Sequence, residues 1–147
     1  MPSVEDPYNL ARFVSAQEDS YALALEEIRG GRKRSHWMWY IFPQIDGLGW
    51  SATSKFYALK NRDEAQAYLN HPILGQRLRE CAQAVLGVKD RPAAEIFGCP
   101  DDLKLRSCAT LFAQISPPGS VFEQIIEKYF YGERDEKTLQ LLNKVVK

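Results

Sequence analysis

The sequence predicts an all-α fold, a single-domain orthogonal array of about seven or eight helices with one irregular aromatic segment. Three observations carry this expectation. Apolar residues recur at i, i+3, i+4 and i+7 through most of the chain, the period of a helix with one buried face. Helix-start signals (Asp-Pro, His-Pro and capping boxes) alternate with glycine and proline stops. One stretch, His36 to Trp50, breaks the pattern and holds all three tryptophans, with Tyr40, Phe42 and Pro43 between them. At 147 residues the whole chain, 1–147, is expected to be one domain, and 45% hydrophobic residues suffice for a core without disulfides or a metal.

Asp6-Pro7 reads as an N-cap with proline in the first turn. Leu10, Phe13, Val14 and Gln17 follow on one face, so Gln17 is either hydrogen-bonded inside or lines a cavity. A second helix carries Tyr21, Ala24, Leu25 and Ile28, and Gly30-Gly31 ends it. Past the aromatic stretch, Ser51 or Thr53 caps a short helix through Leu59. Asn61 and Glu64 form a capping box, and His71-Pro72 opens the cleanest stripe, Leu74, Leu78, Cys81, Ala82 and Val85. Pro92 opens a brief helix to Phe97, and Pro100 another to about Ile115. Ser120 and Glu123 make a second capping box before Phe122, Ile125, Ile126, Tyr129 and Phe130. Asp135 caps a last helix facing inward with Leu139, Leu142 and Val146. There is no internal repeat, low-complexity segment or linker.

The totals exclude several classes. With 19 basic and 19 acidic residues, the balance argues against nucleic acid or an acidic membrane as the main partner. The local cluster Arg29, Arg32, Lys33 and Arg34 could touch phosphates but reads more simply as a solvated loop. Three widely spaced cysteines and two histidines complete no zinc site, and the sequence predicts neither a metal nor a cofactor. Reduced thiols, no basic-then-apolar leader and no apolar run of about 18 residues predict a cytoplasmic protein.

Gly47-Leu48-Gly49-Trp50-Ser51-Ala52 formally matches the G-x-G-x-x-A dinucleotide fingerprint, but its context fails. Pro43 interrupts the preceding run, Trp50 puts bulk inside the turn, and no parallel strand presents an acid about 20 residues on. His36 is the candidate general acid or base, since imidazole titrates near neutrality, although no Ser, Cys or acid stands beside it in sequence. In an extended segment Trp37 and Trp39 share one side, Trp37 as core and Trp39 as a stacking wall worth about 1–3 kcal/mol per base. Gln44 adds both a donor and an acceptor.

The helix from Asp101 puts Leu105, Cys108, Phe112 and Ile115 on its apolar face. Lys104 and Asp101 fall on that same face, and Arg106 lies opposite beside Asp102. Asp101–Lys104 and Asp102–Arg106 would be weak surface pairs of about 0.2–0.5 kcal/mol. A lysine on a buried stripe, however, needs a partner or a cavity. Leu103 points away from the stripe, which predicts a helix packed on two sides.

The runs SHWMWYIFPQIDGLGWS, AYLNHPILGQRL and KLRSCATLF together resemble the bacterial domain-of-unknown-function family eighteen-ten, over nearly the whole chain and in the same order. Members commonly carry SHWMWFIFPQ-like and KLRSSMTLF-like motifs; here Tyr40 stands for the usual phenylalanine and Cys108-Ala109 for Ser-Met. The resemblance implies a small, mainly helical single domain and no particular reaction. Members are often labelled calpastatin, a disordered repeat inhibitor that a helical, aromatic, repeat-free chain does not match.

Two functions are compatible with these residues. The first is a pocket for a small anionic or nucleotide-like ligand. His36, Trp39 and Gln44 would form one wall, with Lys104, Gln17 and Arg106 opposite, and hydrolysis or group transfer through His36 would be the chemistry. The second is a non-catalytic protein–protein interaction domain that presents the tryptophan stretch. Oligomeric state is open.

Overall fold

The computed structural model describes residues 6–143. Among them are ten helices, more than the seven or eight expected. In order they are α1 (Ala11–Gln17), α2 (Tyr21–Arg29), α3 (Met38–Ile41), α4 (Ala52–Phe56), α5 (Arg62–Asn70), α6 (Leu74–Gly87), α7 (Ala93–Phe97), α8 (Asp101–Gln114), α9 (Val121–Phe130) and α10 (Glu136–Leu142). The only sheet-like pairing among the described residues is an isolated parallel bridge between Ile45 and Leu59. Val146, expected on the last helix, lies outside the described residues.

Helix α8 is the axis of the molecule. Ser107 to Ala113 are buried without interruption, because α7, α9, α10 and α5 all pack around it. Two-sided packing was expected from Leu103, yet Leu103 is itself exposed, and burial of Thr110, Leu111 and Ala113 reveals the second side. Helix α6 packs one face, as its stripe predicts: Leu74, Leu78, Cys81, Ala82 and Val85 are all buried against α2, α5 and α9. Gly75 is required at the α5–α6 corner, where a Cβ would lie 2.0 Å from the Leu69 carbonyl oxygen.

The caps form largely where the sequence puts them. Asn61, Ser120 and Asp135 accept from the backbone N–H three residues on. His71 Nδ1 accepts from Ile73 N and Leu74 N at 3.1 and 3.2 Å, which makes this histidine structural. At the first helix the chain makes an extra turn. The Asp6 carboxylate accepts from Leu10 N and Ala11 N, so α1 starts at Ala11 instead of beside Pro7.

The aromatic stretch holds the main departure. It contains the one-turn helix α3, with Trp37, Met38 and Ile41 buried, instead of an extended segment with alternating sides. Trp37 and Trp39 therefore face different surroundings, and Trp39 is half-buried. Pro43 follows directly on the helix end at Phe42, consistent with proline's inability to continue a ladder. The glycine-rich turn follows an isolated bridge residue and not a strand of a parallel sheet, and it leads into the five-residue α4, capped by Ser51.

Candidate functional site

The site is built on the chain reversal between α2 and α3. Gly31, at φ 80°, turns the chain back along α2. There the Glu27 carboxylate gathers four donors. Its Oε1 accepts from Arg34 N at 2.8 Å, Ser35 N at 3.0 Å and the Trp37 indole Nε1 at 2.9 Å. Its Oε2 accepts from Ser35 Oγ at 2.7 Å. Burial alone would raise this carboxyl, but the four donors outweigh it and hold its pKa down at about 2. Ser35 and Trp37 of the SHW motif are thus tied to one anion.

Trp37 then carries the cluster inward. It is 1% exposed and packs near Phe42 and Phe97, each 6.3 Å away between centroids. The Lys33 ammonium lies 5.1 Å from the Trp37 centroid and 2.9 Å from Asp101 Oδ2. Lys104 Nζ lies 3.1 Å from Asp101 Oδ1 and 5.0 Å from the Trp39 centroid. Two tryptophans, two lysines and one aspartate so form a continuous chain of cation–π and ionic contacts. Burial opposes ionisation of Asp101, yet the two ammonium groups prevail and keep its pKa below the usual carboxylate value. Lys104, anomalous on its stripe, has both a partner and an aromatic face.

Other expected site residues have structural engagements. Gln17 is buried; its Nε2 donates to Tyr40 O at 2.7 Å and Tyr68 Oη at 3.1 Å, while its Oε1 accepts from Arg77 at 3.3 Å. It bridges α1 to α3, α5 and α6. Arg106 forms no ion pair with Asp102, because Asp135 from α10's cap competes: Arg106 Nη2 lies 3.8 Å from Asp135 Oδ1. Ser107 Oγ donates to Asp135 Oδ2 at 3.1 Å, so this part of the KLRS motif docks α10 onto α8. Gln44 and Trp39 do line one cleft, with Asp46, Ser54 and Tyr57. It encloses about 10 Å³, near the minimum for a single water. His36 is exposed, and its imidazole has no hydrogen-bond partner among the described residues.

On the outer side of Lys33, an open groove of about 420 Å³ is lined by Arg32, Lys33, Arg91, Glu95 and Phe97. Lys33 N donates to Ile96 O at 2.6 Å, which clamps its two walls together. Arg91 lies across Gly31, where a Cβ would come within 3.3 Å of its Cδ and Nε. Neither Arg32 nor Arg91 has a carboxylate partner among the described residues. Sequence reading missed Glu27 and Arg91. Glu27 looks like an ordinary surface acid, and only the Gly30-Gly31 reversal hints that the next loop folds back onto it.

These features define a small all-helical domain organised around a tryptophan–lysine–aspartate cluster. The chain belongs to the family described as "Protein of unknown function (DUF1810)", whose model matches residues 7–142. It is similar to the crystal structure of the conserved hypothetical protein Rv1873 from Mycobacterium tuberculosis, at 48% identity and a TM-score of 0.93, covering 95% of this chain and 100% of that one. Among curated proteins none matches. No helix among the described residues is long and apolar enough to cross a membrane.

Proposed function

We propose that the protein binds a small anionic or nucleotide-like ligand at the basic groove beside the Lys33–Asp101–Lys104 cluster. One observation carries this reading: two guanidiniums without carboxylate partners among the described residues, Arg32 and Arg91, share an open groove of about 420 Å³ with Lys33. That volume is within the range of small-molecule sites, roughly 300–1,000 Å³. Arginine also matches phosphate and carboxylate geometry with paired donors. Trp39 and Lys104 connect to the groove through Asp101 and Lys33, whereas Gln44, Gln17 and Arg106 lie outside its lining. His36 is the candidate acid–base group, to be used only if a bound ligand brings the reacting atoms to it.

A thermal-shift screen against nucleotides, ADP-ribose derivatives and sugar phosphates tests the proposal. A ligand at 100 times its Kd stabilises the fold by about 2.7 kcal/mol. Arg32→Ala and Arg91→Ala should each remove the shift. A silent panel, or a shift that survives both substitutions, sinks the proposal.

A second reading, a non-catalytic interaction domain, is favoured by Trp50, which is 91% exposed. Iodide should quench Trp50 readily while Trp37 resists. Uniform resistance of all three tryptophans would remove this reading.

A further inference from the structure

We propose that α4 and its flanks dock an acidic peptide segment of a protein partner, with Trp50 as the anchor. The proposal rests on the interaction reading and names the partner's chemistry. No residue of α4 is buried; Trp50, just before its cap, is 91% exposed, and Phe56, its last residue, is 54% exposed. A hydrophobic residue just before an N-cap ordinarily folds down onto the fourth residue of the helix. Here that position is Lys55, so the Trp50 indole has no apolar partner in its own helix.

The helix start that follows Trp50 is capped by its own serines. Ser51 Oγ accepts from Ser54 N at 3.0 Å, and Ser54 Oγ donates back to Ser51 O at 2.9 Å. A Cβ on Gly49 would sit 2.4 Å from Ser54 Oγ. Large exposed aromatics such as tryptophan dominate interface energetics.

Charge selects the partner. Between Asp46 and Asp63 the chain has no acid, while Lys55, Lys60 and Arg62 are cationic. Lys55, Phe56 and Lys60 line an open groove of about 370 Å³ with Pro7 and Tyr8. Arg12 and Glu64 also border it but neutralise each other at 2.7 Å. A groove of side-chain dimensions, lined by Lys55, Lys60, Phe56 and Tyr8, complements carboxylates interleaved with aromatic residues. The equal count of 19 acids and 19 bases over the whole chain disfavours a nucleic acid or a membrane, which would engage a wider positive field.

The test titrates the full chain with a random glutamate–tyrosine copolymer, followed by calorimetry. Polyglutamate, oligothymidylate and phosphatidylserine vesicles serve as comparators. The copolymer should bind, and should bind more tightly than polyglutamate. Trp50→Ala should weaken it by about tenfold or more. Lys55→Glu with Lys60→Glu should do the same and reduce the salt dependence. All variants should fold, since Trp50, Lys55 and Lys60 are exposed, and circular dichroism checks this. An affinity unchanged by Trp50→Ala, equal binding of polyglutamate, or tighter binding of oligothymidylate or vesicles would overturn the proposal. If iodide quenches Trp50 and yet the copolymer does not bind, the exposed-patch reading survives and the acidic-peptide partner is lost.

Discussion

Replacing Glu27 with glutamine changes one carboxylate oxygen into an amide and tests whether this anion fixes the tryptophan stretch. The amide oxygen can take the place of Oε1 and keep the bonds from Arg34 N, Ser35 N and the Trp37 indole. The new NH2 then faces Ser35 Oγ, which can rotate to accept, so chiefly the charge is removed. A carboxyl lowered from 4.5 to about 2 corresponds to about 3 kcal/mol without solvent screening. Glu27 is only half-buried, so the expected loss is smaller, about 1–2 kcal/mol at pH 7. For a chain of this size that is a fall in Tm of about 2–8 °C. The folded-state pKa is depressed, so the stabilisation is complete above the unfolded value near 4.5 and fades as pH falls through about 2. Melting curves of the wild type and Glu27→Gln should therefore be separated at pH 7 and converge between about pH 4.5 and 2. Glu27→Ala, which strands the donors, should cost about 2–4 kcal/mol. Coincident melting at pH 7, or a gap that stays constant down to pH 3, would refute the assignment.

Three further outcomes follow from buried contacts. Arg12→Ala leaves the buried Glu64 carboxylate without its 2.7 Å partner, and chemical denaturation should show a loss of about 3–5 kcal/mol. Adding Gln at position 64 in the same chain should recover part of it. Gly75→Ala drives a methyl into the Leu69 carbonyl, so this one-carbon change should cost about 3 kcal/mol or more, read as a collapse in Tm or in soluble yield. Of the three thiols, Cys99 is exposed, whereas burial pushes Cys81 up to about 12 and Cys108 well above the ordinary thiol value. An Ellman titration should count one fast thiol in the native protein and three in denaturant; two or more fast thiols would contradict the packing of α6 and α8.

The fold was legible where periodicity or a local cap decides it. The α6 stripe is one example, and Asn61, Ser120 and Asp135 cap in place because an N-cap needs only residues three positions away. Four-residue α3 escaped because a single turn is shorter than one apolar repeat, and dense aromatics read as an extended strand. Arg106 escaped for another reason. The neighbour four residues back was visible in the sequence, but Asp135, a distant residue, took the contact. The pairing of the tryptophan stretch with α8 was legible from the misfit of Lys104, which meets Trp39. The bridging partner was less so: Lys33 looked like part of a solvated basic run, and its insertion beside Asp101 depends on the loop folding back.

The three tryptophans show why residue type alone left function open. Trp37 is buried because its N–H finds the Glu27 carboxylate and its ring finds Phe42 and Phe97, so both halves of the indole are satisfied inside. Trp39 stays half out, and the cation on its face is Lys104, itself held by Asp101. A structural account of both is therefore complete without a ligand. Trp50 has no such account: Lys55 stands at the staple position, α4 buries no residue, and the indole is 91% exposed. Removing an exposed ring should leave stability within about 0.5 kcal/mol. If Trp50→Ala is neutral for folding while Trp37→Ala is not, the fold does not need Trp50. Any effect of Trp50→Ala on binding then belongs to recognition at the surface.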